Sequence, residues 1–277
     1  MTRAALLQLN ASDDPETNLP VTRGFLREAV EGGADFVLTP EVTNCLSSSR
    51  SQQQKVLKHQ HDDPTLAALR ADAKEFGIWI LIGSLALKTD DLDGRFANRS
   101  FLINPGGNIA GWYDKIHMFD VQVSETETYR ESDGYRPGNR AVCVATPFGT
   151  VGMTVCYDVR FPYLHRALAK AGAAILTAPA AFSQVTGAAH WHTLLRARAI
   201  ETGCYVLAPA QTGTHDTLNG QPRRTYGHSL VVAPWGEVIV DAGTEPCVTF
   251  VDLDTKAVID ARRKVPSLTH DRKFDGP

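Results

Sequence analysis

Short, nearly all-apolar runs alternate with longer stretches of helical periodicity along this chain. Ala4–Leu9 reads as a buried strand, Val21–Glu31 as a helix with Leu26, Ala29 and Val30 on its apolar face, and Phe36–Leu38 as a short strand. Leu66–Phe76 follows as a helix, with Asp63 as its N-cap and Pro64 at the first helical position. Trp79–Leu87 and Arg99–Ile103 read as strands, with a turn signal at Asn104-Pro105-Gly106-Gly107. The order then restarts. Thr150–Val155 is a strand, Tyr163–Ala171 a helix, Ile175–Ala178 a strand, Ala189–Thr202 a helix and Tyr205–Ala208 a strand. Ser229–Val232 and Val238–Val240 pair as a hairpin around Pro234-Trp235-Gly236.

One segment occurs almost twice. Gly33-Ala34-Asp35-Phe36-Val37-Leu38-Thr39-Pro40 matches Gly172-Ala173-Ala174-Ile175-Leu176-Thr177-Ala178-Pro179, and each copy follows a helix and precedes another helix and strand. The pattern implies an α/β fold, a four-layer α-β-β-α sandwich of two pseudo-symmetric halves packed sheet against sheet. Strand ends from both halves then converge at one edge. No interdomain linker stands out, so residues 1–277 read as one domain, with a charged C-terminal tail from about residue 255 that reaches over a neighbour or frays. Gln52–His61 is polar and reads as an exposed helix with a lead-in loop; His59 and His61 read as solvated surface rather than a metal pair.

Composition narrows the function classes. With 277 residues, 43% hydrophobic and 21% charged, the chain can bury a large core. A net charge of −3 and the lack of a basic stripe argue against nucleic acid, and the longest apolar runs, broken at Gly83 and Ser84, are too short to span a bilayer. The N-terminus shows no signal-peptide core. Five scattered cysteines, at 45, 143, 156, 204 and 247, form no CxxC, which argues against a disulfide framework or a zinc site and for a cytoplasmic setting.

Cys156 ends the apolar strand in Val155-Cys156-Tyr157-Asp158-Val159-Arg160-Phe161-Pro162, where a proline opens the next helix. A nucleophile at a strand-to-helix turn is rigidly held, and its own amide and the next can meet an oxyanion. A buried cysteine can equally be a small hydrophobe. Glu41, in Thr39-Pro40-Glu41, also follows a strand and is either a helix-start charge or a base. Lys115, in Tyr113-Asp114-Lys115-Ile116-His117, is either a snorkelling side chain or a buried cation facing a carboxylate. A thiol needs a partner base. Spacing alone leaves Glu41 and the histidines, including His117, His190 and His192, open for that role.

These three motifs, in this order and at this spacing, resemble the Glu-Lys-Cys triad of the nitrilase superfamily of carbon–nitrogen hydrolases. The resemblance runs from about Ala4 to the C-terminal tail. Thr128-Tyr129-Arg130-Glu131-Ser132, Thr186-Gly187-Ala188-Ala189-His190-Trp191, Leu195-Arg196-Ala197-Arg198-Ala199-Ile200-Glu201 and Tyr226-Gly227-His228-Ser229 are similar to the Nit branch, which includes omega-amidases and deaminated glutathione amidases. Ala208-Pro209-Ala210-Gln211-Thr212-Gly213-Thr214-His215 is closer to the latter. Tyr163 departs from the pattern, since many relatives carry Glu after Phe-Pro, and the polar loop Asp216–Arg224 has no reading.

The resemblance implies an amidase that acts on a small carboxylate-bearing amide through a thioester, with no metal or organic cofactor. Glu41 is then the base, Cys156 the nucleophile, and Lys115 with the backbone amide of Tyr157 the oxyanion donors. Glu131 positions Lys115 or the substrate. Arg160 binds a substrate carboxylate or pairs with Asp158 or Glu201; Phe182 and Thr186 line the pocket, unless Phe182 is core. His190 and Trp191 pack or face a dimer partner, and Arg196 and Arg198 form ion pairs across helices. Deaminated glutathione is the leading substrate. Omega-amidase, N-carbamoyl hydrolase and nitrilase activities, or a silent scaffold, are the alternatives. A homodimer or larger homo-oligomer is implied, with no nucleic-acid or membrane partner.

Overall fold

The alternation of apolar residues along each strand sorts them between two packing layers. In the first strand, β1 (Thr2–Gln8), Ala4 and Leu6 face one cluster while Ala5 and Leu7 face another. The second cluster lies under α1 (Pro15–Glu31) and α3 (Pro64–Phe76), through Leu26, Ala29, Leu66 and Leu69. The first joins Ala4, Leu6, Phe36 and Leu38 to Val151, Met153 and Ile175 of the opposite sheet. Each fully buried aliphatic side chain of this kind contributes roughly 1.5–3 kcal/mol. A computed structural model, which describes residues 1–123, 125, 127–218 and 222–276, thus gives the four-layer α-β-β-α sandwich.

One sheet contains β1, β2 (Phe36–Leu38), β3 (Trp79–Leu87), β4 (Ala97–Ile103), β5 (Ile109–Asp114) and β16 (Cys247–Leu253), in the order β16-β1-β2-β3-β4-β5. The other contains β8 (Val142–Val144), β9 (Thr150–Met153), β10 (Ala173–Thr177), β11 (Tyr205–Ala208), β14 (Leu230–Val232) and β15 (Val238–Asp241), in the order β15-β14-β11-β10-β9-β8. Strands β1, β2 and β3 run parallel, as do β9, β10 and β11, and both trios are flanked by antiparallel strands. The matched segments are therefore the central strands β2 and β10. Each is entered through a glycine in the left-handed region, Gly33 at φ 81° and Gly172 at φ 97°, where a side chain would be strained. Helices α5 (Pro162–Lys170) and α6 (Gln184–Thr202) cover the second sheet. Two ribbons, β6 (Asp120–Gln122) with β7 (Thr128–Arg130), which runs into the short helix α4 (Glu131–Gly134), and β12 (Thr212–Thr214) with β13 (Arg224–Tyr226), stand outside the sheets.

Several elements differ from their sequence readings. Helix α1 begins at Pro15, because Asp14 caps it by accepting from the Glu16 amide, and Pro20 is carried inside it. Helix α3 starts as expected, with the Asp63 carboxylate accepting from Leu66 N at 2.8 Å. Helix α2 (Arg50–Val56) is not an exposed helix: Gln52 and Gln53 are buried, and Gln53 donates to Tyr135 Oη and Ser47 O. The expected tail forms α7 (Lys256–Lys264), with Val258 and Ala261 buried, and beyond it Asp271 pairs with Arg166 and Lys170 of the same chain. Arg196 and Arg198 do not bridge helices. Arg196 donates to Gly236 O, and Arg198 donates to Val159 O and pairs with Glu201 of its own helix. His59 and His61 stack with ring centroids 5.9 Å apart at the surface. No helix is long and apolar enough to cross a membrane among the described residues.

The exits of the two central strands meet at one edge through Gly83 of β3. A Cβ there would lie 2.0 Å from Thr39 O and 2.5 Å from Pro179 Cβ, so only glycine permits this approach of the two halves.

Candidate active site

Glu41 and Cys156 both sit just past strand ends, on turns that force a side-chain-bearing residue into the left-handed region. Val42 has φ 47° and Cys156 φ 49°. For a β-branched residue such as Val42 this is a marked outlier, of the kind that persists only where surroundings impose it. The Val42 amide is held by Ser84 Oγ at 2.8 Å, and the Cys156 amide by Pro179 O at 2.9 Å. This second bond corrects one expectation: the N–H of Cys156 is committed to backbone and is not free for an oxyanion. Cys156 opens a 3-10 turn, Cys156–Arg160, that leads to Pro162 at the start of α5.

Lys115 follows β5 and reaches between two carboxylates. Its Nζ donates to Glu41 Oε1 at 2.9 Å and to both oxygens of Glu131 at 2.8 Å. Glu131 also accepts from the Phe119 amide at 2.6 Å, and this fixes its orientation. Glu41 accepts further from Asn98 Nδ2 at 2.9 Å and from the Ala181 amide at 2.8 Å. Glu41 and Lys115 are only 4% and 2% exposed, so their mutual charge acts through a poorly screening medium.

The protonation states follow from these contacts. Burial pushes the Glu41 carboxyl up, but the Lys115 and Arg223 charges and the hydrogen bonds from Lys115 and Cys156 outweigh it and leave it below its usual value. Burial and the neighbouring Glu41 charge push the Cys156 thiol well up, against the pull of Lys115. Burial pulls Lys115 down, yet Glu131 and Glu41 raise it well above an ordinary lysine. At neutral pH the trio is therefore a thiol, a carboxylate and an ammonium. The thiol and the carboxylate are close enough to act on each other's titration, so a proton can move from one to the other.

A cavity of about 310 Å³ opens over the trio, bounded among others by Tyr157, Phe182, Tyr129, Arg130 and Arg223. This lies at the low end of ligand pockets, roughly 300–1,000 Å³. Phe182 lines it while packing on Trp191 at 4.8 Å. Arg160 and Thr186, expected at the substrate, do not line it. The Arg160 guanidinium lies outside, over the Tyr157 and Phe182 rings at 5.7 and 5.4 Å and against His190 Nδ1; it pairs with neither Asp158 nor Glu201. Thr186 lies in the first turn of α6. The candidate histidines are also elsewhere: His117 is held by Asp158, His190 by Arg160 and His192 by Asp241.

The carbon–nitrogen hydrolase description matches residues 3–263 of this chain. The chain belongs to the carbon–nitrogen hydrolase family. It is thus an enzyme acting on carbon–nitrogen bonds, built on the nitrilase-superfamily fold. It is 39% identical over 269 residues to a deaminated glutathione amidase of Yersinia enterocolitica, covering 97% of this chain and 92% of the relative. The NitFhit protein of C. elegans superposes with a TM-score of 0.89 at 33% identity, covering 98% of this chain; the chain spans 65% of that larger protein. Saccharomyces cerevisiae Nit3, described as a member of branch 10 of the nitrilase superfamily, superposes with a TM-score of 0.85 at 29% identity, covering 99% of this chain and 97% of its own.

Three contributors in this hydrolase site escaped sequence reasoning. Asn98 is buried in the polar first half of β4, where Arg99 and Ser100 follow it, and nothing local singles it out. Asp158 is fully buried and accepts from Val155 N, Tyr113 Oη, and both the amide and the ring of His117, tying the Cys156 turn to the segment after β5. His117 in turn stacks on Phe161 at 3.6 Å and bonds the Tyr163 hydroxyl, which gives the departing Tyr163 a local partner. Arg223 belongs to the uninterpreted loop Asp216–Arg224, of which positions 219–221 lie outside the described residues. No local pattern marks it.

Proposed function

We propose that this enzyme is an amidase that cleaves deaminated glutathione, with Cys156 as nucleophile, Glu41 as base and Lys115 as oxyanion donor. The observation that carries the mechanism is the burial of a thiol against a carboxylate whose other contacts are all donors. Glu41 takes the thiol proton as the sulfur lone pair forms a bond to the amide carbon, and the carbonyl π pair moves onto oxygen. The Lys115 ammonium and the Tyr157 amide stabilise that oxyanion; one preorganised donor of this kind contributes about 3 kcal/mol. The pair returns, the carbon–nitrogen bond breaks, and the departing nitrogen takes the proton from Glu41. Water then loses a proton to Glu41 and attacks the thioester, and sulfur leaves and regains its proton. Glu131 keeps Lys115 in place throughout. The substrate choice is supported by the names of the similar relatives.

The test is formation of the carboxylic acid from deaminated glutathione, 2-oxoglutaramate, an N-carbamoyl amino acid and a simple nitrile. The expected kcat/KM is highest for deaminated glutathione, by about tenfold or more. A higher value on 2-oxoglutaramate makes the protein an omega-amidase, and cleavage of none of the four sinks the reading. We propose further that the chain acts as a homo-oligomer, because Tyr163, Ile200, Trp235 and Ile259 are large apolar side chains left exposed. Light scattering is expected to give at least twice the mass of one chain, and a single-chain mass refutes this.

A further inference from the structure

Outside the active site, a cluster of metal-ligating side chains is assembled from three separate elements. His192 comes from the middle of α6, His228 from the turn between β13 and β14, and Asp241 from the end of β15. His192 Nε2 lies 2.9 Å from one carboxylate oxygen of Asp241, and His228 Nδ1 lies 2.8 Å from the other. The three ligand atoms lie within 4.8 Å of one another. None of the three residues lines the cavity over Cys156.

The cluster is held firmly. His228 takes φ 54°, a left-handed conformation uncommon for a residue with a side chain, directly after Gly227 at φ 73°. Its amide donates to Gly243 O at 2.7 Å, and its carbonyl accepts from Trp191 Nε1 at 2.9 Å. The buried Gln8 at the end of β1 ties both turns to the core: it accepts from the Ser229 amide at 2.7 Å and donates to Gly243 O at 3.0 Å. The rings are fixed as well. His228 stacks on Tyr226 with centroids 4.4 Å apart, and His192 meets His228 edge-on at 5.3 Å. Asp241 Oδ1 accepts further from the Gly243 amide at 3.0 Å. Outer contacts of this kind orient ligands before an ion arrives.

A single donor would pin Asp241. Two imidazoles converging on one carboxylate are instead the donor set of zinc and its transition-metal neighbours, whereas magnesium and calcium take oxygen ligands. A tetrahedral ion with bonds of about 2.0–2.2 Å holds its ligands about 3.4 Å apart, so shifts of about 1 Å at the side-chain tips close the three atoms around it. Each ring would ligate as a neutral imidazole, its proton passing to the nitrogen that faces away from Asp241, and water would fill the fourth position. The side chains of His192, His228 and Asp241 are 34%, 23% and 35% exposed, so an ion reaches them from solvent. We propose that these three residues bind one divalent transition-metal ion of the zinc type, which staples α6 to the β14–β15 hairpin. The ion stands apart from Cys156, and its binding does not depend on which amide the enzyme cleaves. Trp191 connects the two places: it neighbours His192 in α6, bonds the His228 carbonyl and packs on Phe182 of the cavity wall.

The experiment is calorimetric titration with Zn²⁺ of tag-free Cys156→Ala protein, which offers the ion no active-site thiol. One ion per chain is expected, with Ca²⁺ bound at least about 100-fold more weakly. In that background His192→Gln and His228→Asn are each expected to weaken Zn²⁺ binding at least about tenfold, while His59→Gln, at the other histidine pair, leaves it unchanged. Asparagine accepts the left-handed backbone of His228, and His192 lies on a partly exposed helix face, so both variants are expected to fold; if one does not, the other decides. The thermal midpoint is expected to rise by about 5 °C at a hundredfold excess of Zn²⁺ over its Kd, and not to rise in either variant. Absence of binding at about 0.1 mM Zn²⁺, equal affinity for Ca²⁺, or binding untouched by both substitutions overturns the proposal and leaves the three residues as a hydrogen-bonded clamp.

Discussion

Cys156→Ala is expected to lower kcat by at least about 10⁴-fold and to leave the fold standing, because the thiol that attacks the amide and carries the thioester is gone. The fold survives for a local reason. Alanine meets the same left-handed backbone at φ 49° as cysteine does, and the amide bond to Pro179 O is kept. The small void left by Sγ opens onto the cavity instead of closing a dry core. Product formation and the thermal midpoint, measured on one preparation, check both halves. Retention of more than about 1% of wild-type turnover would mean that another group attacks the amide.

Glu41→Gln carries the second large effect. Among the described residues every hydrogen bond to the carboxylate comes from a donor: Lys115 Nζ, Asn98 Nδ2 and the Ala181 amide. A glutamine must turn its NH₂ toward one of them whichever way it flips. The expected cost in stability is about 1–3 kcal/mol, and the loss in kcat about 10²- to 10⁴-fold, the usual range for removing general-base catalysis. A third readout separates base loss from misfolding. The Glu41 charge holds the Cys156 thiol up, so its removal should let the thiolate appear at lower pH. Thiolate absorbance, with Cys156→Ala as the blank, reads this directly; an unchanged titration with normal activity would return the base to a histidine.

The same shift sets a pH dependence. The folded Glu41 carboxyl titrates below its ordinary 4.5, so the stability it contributes is present above that value. That contribution is lost as pH falls through the lower, folded value. The acid limb of kcat/KM that reports Glu41 should accordingly lie below pH 4.5.

Much of the architecture was legible because burial on both sides of a parallel strand leaves a short apolar run, too short for a helix and bounded by glycine or proline. Phe36–Leu38 and Tyr205–Ala208 were read to the residue for this reason. Helix starts were legible where a cap announced them, as at Asp63 and Pro64, and misjudged where a proline lay inside the helix, as at Pro20. The extra strands β5, β8 and β16 escaped, since edge strands bury only part of their surface and show weaker patterning.

The sequence by itself determined the α/β order, the internal repeat and the three motifs that bear Glu41, Lys115 and Cys156, because these are written in local runs of residues. Only the tertiary structure decided what those side chains meet. The contacts that define the site join residues far apart in the chain, such as Glu41 with Ala181 and Gln211, or Tyr113 with Asp158. It moved the cavity's arginine from Arg160 to Arg223, spent the Cys156 amide on Pro179 O, and brought Asn98 to the base. Loop side chains carry no periodicity, and which of them faces a cavity depends on how two sheets pack, a relation that no local pattern encodes.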